Sequence, residues 1–139
     1  MTQHHVKHLI IGGGIIGCST AYHLAKNGET DIVLLEKASL TEGATWHAAG
    51  LVGQLRSSRN TTRMLKRSVA MYDALEAETG MAFDWKKVGS LRLAATKERL
   101  LEAQRLTTMA RSFDLEMSMI TAEEAKALFP YIDATGLEG

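Results

Sequence analysis

His8-Leu9-Ile10-Ile11-Gly12-Gly13-Gly14-Ile15-Ile16-Gly17 is the stretch that decides how this chain folds. Residues 6–11 are a short apolar run bounded by glycines, which predicts a buried parallel strand. In residues 15–27, Ile15, Ile16, Ala21, Leu24 and Ala25 are spaced like one face of a helix, and Asn27-Gly28 ends it. Residues 31–36 predict a second buried strand that finishes on Glu36. A strand, a helix and a strand within about 30 residues make a βαβ unit. Gly12, Gly14 and Gly17 fit the pattern G-x-G-x-x-G, which is weak evidence alone. Here it leaves a strand, opens a helix, lies inside a βαβ unit, and is followed about 20 residues later by an acid at a strand end. Each part has a physical reason. Gly12 allows a tight turn, Gly14 lets backbone approach a pyrophosphate, and Gly17 lets the helix pack closely. The helix start then offers free N–H groups and a positive dipole end to phosphates. Glu36 would accept hydrogen bonds from ribose hydroxyls. A glycine-rich turn without a ligand is the plain alternative, and the four features together weigh against it.

Composition is that of an ordinary globular chain: 139 residues, 45% hydrophobic and 23% charged, room for one domain. Sixteen basic and sixteen acidic residues balance, so no nucleic-acid or anionic-membrane surface is expected. No apolar run is long enough for a membrane span. One cysteine, Cys18, excludes an internal disulfide and suits a reducing compartment. With no room for a leader before the first strand, the cytoplasm is the expected location. Residues 39–59 read as a long functional loop with a short helical turn. Residues 60–79 predict a helix with Leu65, Val69 and Tyr72 on its inner stripe, flanked by Met64 and Leu75. Residues 88–94 predict a strand, and residues 97–113 a helix with Ala103, Leu106, Ala110 and Phe113 inward. Thr121-Ala122-Glu123-Glu124 predicts a capping box opening a last short helix, stopped by Pro130. The chain then ends on what reads as a turn into another element, as a truncated chain would.

The segment after Glu36 carries a resemblance. Leu40-Thr41-Glu42-Gly43-Ala44-Thr45-Trp46-His47-Ala48-Ala49-Gly50-Leu51 resembles the corresponding stretch of the dimethylglycine and sarcosine dehydrogenases, within the D-amino-acid-oxidase-like flavoproteins. The likeness continues through residues 52–56, 60–79 and 89–93, and residues 45–50 are its specific part. It implies an α/β fold: a Rossmann-like FAD-binding domain in residues 6–59, and in 60–139 the start of an appended α+β substrate domain, together the N-terminal part of one oxidoreductase domain. It implies FAD, bonded through its 8α-methyl carbon to His47. An imidazole nitrogen is a reasonable nucleophile for that carbon. It also puts Ile15 and Ile16 along the pyrophosphate, and Glu36 and Lys37 at the ribose. Gly43, Ala44, Thr45, Trp46, His47, Ala48, Ala49, Gly50 and Leu51 would wrap pyrophosphate and flavin. The implied parent reaction is oxidation of an N-methyl amine, with electrons passed to an electron-transfer flavoprotein or oxygen. Tetrahydrofolate enters only through a C-terminal domain that these residues do not include. A noncovalent amino-acid oxidase of the same superfamily, or a fragment without a working flavin site, are the other readings. No catalytic base is assigned.

Other residues carry weaker signals. His4, His5 and His8 could suggest a metal, but no cysteine or acid cluster accompanies them, so none is expected. His23 reads as structural, and Cys18, at a helix start, as a small packing residue. Arg56, Arg59 and Arg63 could reach a carboxylate, with a solvated helix start at least as good a reading. Met64, Met71, Met109, Met117 and Met119 read as core filler.

Overall fold

A computed structural model describes residues 5–139. The chain divides into two compact units, Met1–Leu51 and Val52–Gly139.

In the first unit the apolar runs form β1 (His8–Ile11) and β2 (Ile32–Leu35), joined by helix α1 (Ile15–Lys26). The strands pair in parallel, His8 opposite Ile32 and Ile11 opposite Leu35. The ladder extends by one bond at each end, His8 N–H to the Asp31 carbonyl (3.1 Å) and Gly12 N–H to the Leu35 carbonyl (2.8 Å). Gly28, with φ +89°, releases the chain from α1, as its sequence position predicts.

Burial differs from the sequence reading. No residue of α1 is fully buried; Ala21 and Leu24 are half-covered, while Ile15 and Ile16 are 53% and 81% exposed. The strands are not buried either: Ile11 is 82% and Leu35 53% exposed. The reason is topological. An apolar parallel strand is covered when helices lie on both faces and other strands on both edges. Here two strands meet one helix.

The second unit holds α2 (Arg59–Thr79), α3 (Lys97–Arg111) and α4 (Ala122–Leu128). Val69 is buried on α2, with Leu65, Tyr72 and Leu75 half-buried beside it. Met64 departs from the expected core and is 70% exposed. The fully buried Thr62 uses its hydroxyl twice, accepting from Arg56 N–H and donating to the Arg56 carbonyl, each at 3.1 Å. That pair fastens the segment before α2 to the helix. Gly80, with φ +70°, ends α2. Beyond it Trp85 stacks on Tyr72 at 5.0 Å between ring centres and donates its indole N–H to Asp73 Oδ1 (2.8 Å). Lys87 pairs with the same carboxylate, and chiefly that contact lowers the Asp73 pKa.

Residues 88–94 do not form the expected strand. Among the described residues only Ala94 finds a backbone partner there, its N–H meeting the Gly139 carbonyl and its carbonyl the Glu138 N–H, both at 2.8 Å. A strand needs a ladder, and alternation of side chains cannot supply one. Helix α3 stops at Arg111, two residues before the expected end, and Asp114 follows at φ +54°. Its inner stripe is as predicted, with Ala110 buried and Ala103 and Leu106 half-buried. The capping box forms: Glu124 N–H donates to Thr121 Oγ1 (3.2 Å), and Thr121 N–H to Glu124 Oε2 (2.7 Å). Phe129, held extended ahead of Pro130, closes α4.

Candidate dinucleotide site

The site is built where β1 turns into α1. Gly12 sits at φ +108°, a conformation that side-chain-bearing residues avoid, and so makes the turn the sequence assigned to it. A Cβ on Gly17 would lie 1.9 Å from the Gly12 carbonyl oxygen, so only glycine lets the first turn of α1 close against the loop. Gly14 is the N-cap and offers no side chain. Its place is filled from another segment: Thr45 Oγ1 accepts the Ile15 N–H at 3.0 Å. Cys18 N–H closes the first helical bond on the Gly14 carbonyl, while its thiol reaches the Gly13 carbonyl at 3.4 Å. The cysteine is thus an unpaired packing residue of the turn.

Glu36 ends β2 beside this loop. Its Oε2 accepts the Gly13 N–H at 2.6 Å and its Oε1 the Ala38 N–H at 3.1 Å. These bonds, the Gly13 one foremost, hold its pKa below the ordinary carboxylate value, so the group is an anion near neutral pH. A carboxylate has about four lone-pair sites, so room remains for a further donor. Lys37 beside it is exposed.

Gly13 is the residue the sequence reading passed over. It is buried, and a Cβ there would meet Leu40 Cδ2 at 2.5 Å and Glu36 Cβ at 3.1 Å. The signal was the unbroken Gly12-Gly13-Gly14 run, in which the fingerprint leaves the middle position free. Thr41 was also missed: at φ +67° it donates its N–H to the Gly13 carbonyl (2.9 Å).

Residues 41–47 form a series of tight turns, with Trp46 N–H bonded to the Thr41 carbonyl (3.0 Å) and His47 N–H to the Ala44 carbonyl (3.2 Å). His47 Nδ1 lies 3.1 Å from the Gly43 carbonyl oxygen. A carbonyl only accepts, so Nδ1 carries the hydrogen and the lone pair of the neutral ring is on Nε2. Trp46 is 77% and Leu51 89% exposed, and Gly43, Ala44, His47, Ala48, Ala49 and Gly50 also face solvent. At Gly12, Gly43 and Gly50 a Cβ would meet nothing within 4 Å. At these three positions of the glycine turn and the following loop the backbone therefore has open space beside it. An adenine dinucleotide suits this arrangement: N–H groups for phosphates, a carboxylate for ribose and small residues beside a flat ring.

His8 and His23 have partners of their own. His8 Nε2 lies 3.3 Å from Glu29 Oε2, whose carboxylate Lys7 also binds. His23 packs edge-on to Tyr22 at 5.1 Å. His4 lies outside the described residues. Among the described residues no group of three His, Cys, Asp or Glu is arranged to hold a metal. None of their helices is long and apolar enough to cross a membrane.

A parallel βαβ unit with this glycine turn and a terminal acid defines a nucleotide-binding α/β protein of the Rossmann type. Comparison with known proteins narrows the class. The family described as FAD dependent oxidoreductase matches residues 7–139, and the chain belongs to it. It is 41% identical over 133 residues to a protein named mitochondrial sarcosine dehydrogenase from Mus musculus, covering 94% of this chain and 14% of that one. It is 43% identical over 125 residues to mitochondrial dimethylglycine dehydrogenase from Rattus norvegicus, covering 90% and 15%. The chain thus spans about one-seventh of the length of these relatives. Among solved structures, L-proline dehydrogenase from P. horikoshii superposes with a TM-score of 0.87 at 29% identity, covering 98% of this chain and 36% of that one.

Proposed function

We propose that this chain is the dinucleotide-binding part of an FAD enzyme that oxidatively demethylates an N-methyl amino acid, dimethylglycine or sarcosine, with the flavin bonded to His47. The observation that carries the covalent part is the contact of His47 Nδ1 with the Gly43 carbonyl. With Nδ1 committed to the Gly43 carbonyl, Nε2 is the nucleophilic nitrogen, on a loop that Thr45 and Thr41 tie to the glycine turn. The relatives named above supply the substrate class.

The chain's own groups then divide the work. Gly12 and Gly14 bring backbone to the pyrophosphate and Gly17 lets α1 close behind them, with Ile15 and Ile16 at the positive end of α1. The lone-pair capacity left on Glu36 takes ribose hydroxyls, with Lys37 alongside. Residues 43–51 lie along the pyrophosphate and flavin, where Gly43, Ala44, Ala48, Ala49 and Gly50 present little bulk and Trp46 and Leu51 present apolar surface. Bound FAD would supply the chemistry, accepting a hydride from the N-methyl carbon to leave an iminium. Electrons would pass on to an electron-transfer flavoprotein or to oxygen, and the one-carbon unit to tetrahydrofolate where a folate domain accompanies this one. The unpaired Cys18 suits a reducing compartment, the cytoplasm in our reading.

The test is flavin fluorescence travelling with the acid-denatured polypeptide on a gel, for the protein as its gene encodes it and for His47→Ala. Fluorescence lost only in the variant supports the assignment. Equal fluorescence in both places the bond elsewhere. No fluorescence in either, with FAD still bound before denaturation, favours a noncovalent amino-acid oxidase, a reading that the proline dehydrogenase superposition also accommodates.

A further inference from the structure

The second unit has a groove of about 360 Å³ lined by Arg59, Arg63, Lys66, Ser112, Phe113 and Asp114. The three cations fall one turn apart on one face of α2, at spacings of four and three residues. Two of them are held. The Arg59 guanidinium lies 5.8 Å over the Phe113 ring, and Lys66 Nζ donates to the carbonyls of Phe113 (2.6 Å) and Asp114 (3.2 Å). Among the described residues no carboxylate lies within ion-pair distance of Arg59, Arg63 or Lys66.

The placement runs against the helix. Arg59 and Arg63 sit in the opening turns of α2, which has no acidic residue in its first turn and no side-chain cap. Cations there oppose the positive end of the helix dipole. An anion in the groove would turn that arrangement from unfavourable to favourable. Ser112 is not a donor to it, since its hydroxyl is spent on the Met109 carbonyl (2.7 Å). The local charge is three cations against the one carboxylate of Asp114, a surplus of two, which balances a phosphate dianion better than a single carboxylate.

We propose that this groove binds a phosphate group, with Arg63 as its principal ligand, Arg59 and Lys66 as fixed flanking charges, and Asp114 as the group that limits affinity. The phosphate is either free or carried as a monoester. It is independent of the flavin reading, because every lining residue lies in the second unit.

The experiment is a titration of inorganic phosphate into the isotope-labelled full chain, following the amides of Lys66, Phe113 and Asp114, with glycerol 3-phosphate as a second arm. Saturable shifts at these amides are expected. Arg63→Gln should weaken binding about tenfold, the scale of one charge-assisted hydrogen bond. Asp114→Asn should tighten it severalfold. Opposite movements of the two variants cannot arise from misfolding, and unchanged spectra elsewhere check the fold. Equal affinity for the two probes identifies free phosphate as sufficient, whereas tighter binding of the ester assigns the site to a phosphorylated small molecule. Absence of saturable shifts, or shifts indifferent to Arg63→Gln, overturns the proposal. So does Asp114→Asn binding no tighter than the unaltered chain.

Discussion

Glu36 is held by backbone N–H groups of the chain and has room for a donor from outside it. Its bond to Gly13 N–H belongs to the folded loop, and its carboxylate pKa is lowered chiefly by that bond, then by Ala38 N–H. A group whose pKa falls on folding contributes its stability fully above the ordinary value of 4.5 and loses it as pH drops through the lower folded value. The Gly13 amide should therefore stay protected from hydrogen exchange near neutrality and lose protection in acid. In Glu36→Gln the protection should be smaller and no longer follow acidification. Equal acid sensitivity in the variant would show that another group controls the loop.

Elements were legible in the sequence to the extent that they are local. The glycine turn, α1, α2 and the Thr121–Glu124 cap depend on neighbouring residues, and each appears where periodicity or capping chemistry put it. The 88–94 strand failed because strands are made by partners, and the sequence of one segment does not contain its partner. The same holds for burial: the apolar runs at β1 and β2 were read correctly as strands but not as only half-covered ones. At the site, Gly12, Gly17 and Glu36 came from a spacing rule. Gly13 and Thr41 did not, because their roles arise from Leu40 and the 41–47 turns folding back over the loop. The cap of α4 gives an element-scale test. Thr121→Ala removes the acceptor for Glu124 N–H, and the helix has only seven residues over which to absorb the loss. The expected destabilisation is about 1 kcal/mol, read as faster exchange at the Glu124 and Ala125 amides.

At the scale of the molecule, each unit is held by hydrogen bonds of its own. The first rests on the β1–β2 ladder and the glycine turn, the second on Thr62, the Asp73 cluster and the helix caps. FAD should act on the first alone. Hydrogen exchange with added FAD should slow at residues 12–17 and 41–51 and leave α3 and α4 unchanged, since a ligand stabilises the unit that holds it. Uniform protection of both units would mean that they unfold together.

The chain's two tryptophans are divided between these units, and their surroundings are opposite. Trp46 lies in the 41–51 loop, 77% exposed, and Trp85 is stacked on Tyr72 with its indole N–H bound to Asp73. The protein thus carries one intrinsic optical reporter in each unit. A dissolved quencher reaches Trp46 first, leaving the emission of Trp85 to signal the state of the helical unit. Loss of the Trp46 component when a yellow chromophore enters the loop would follow occupancy of the site without any label.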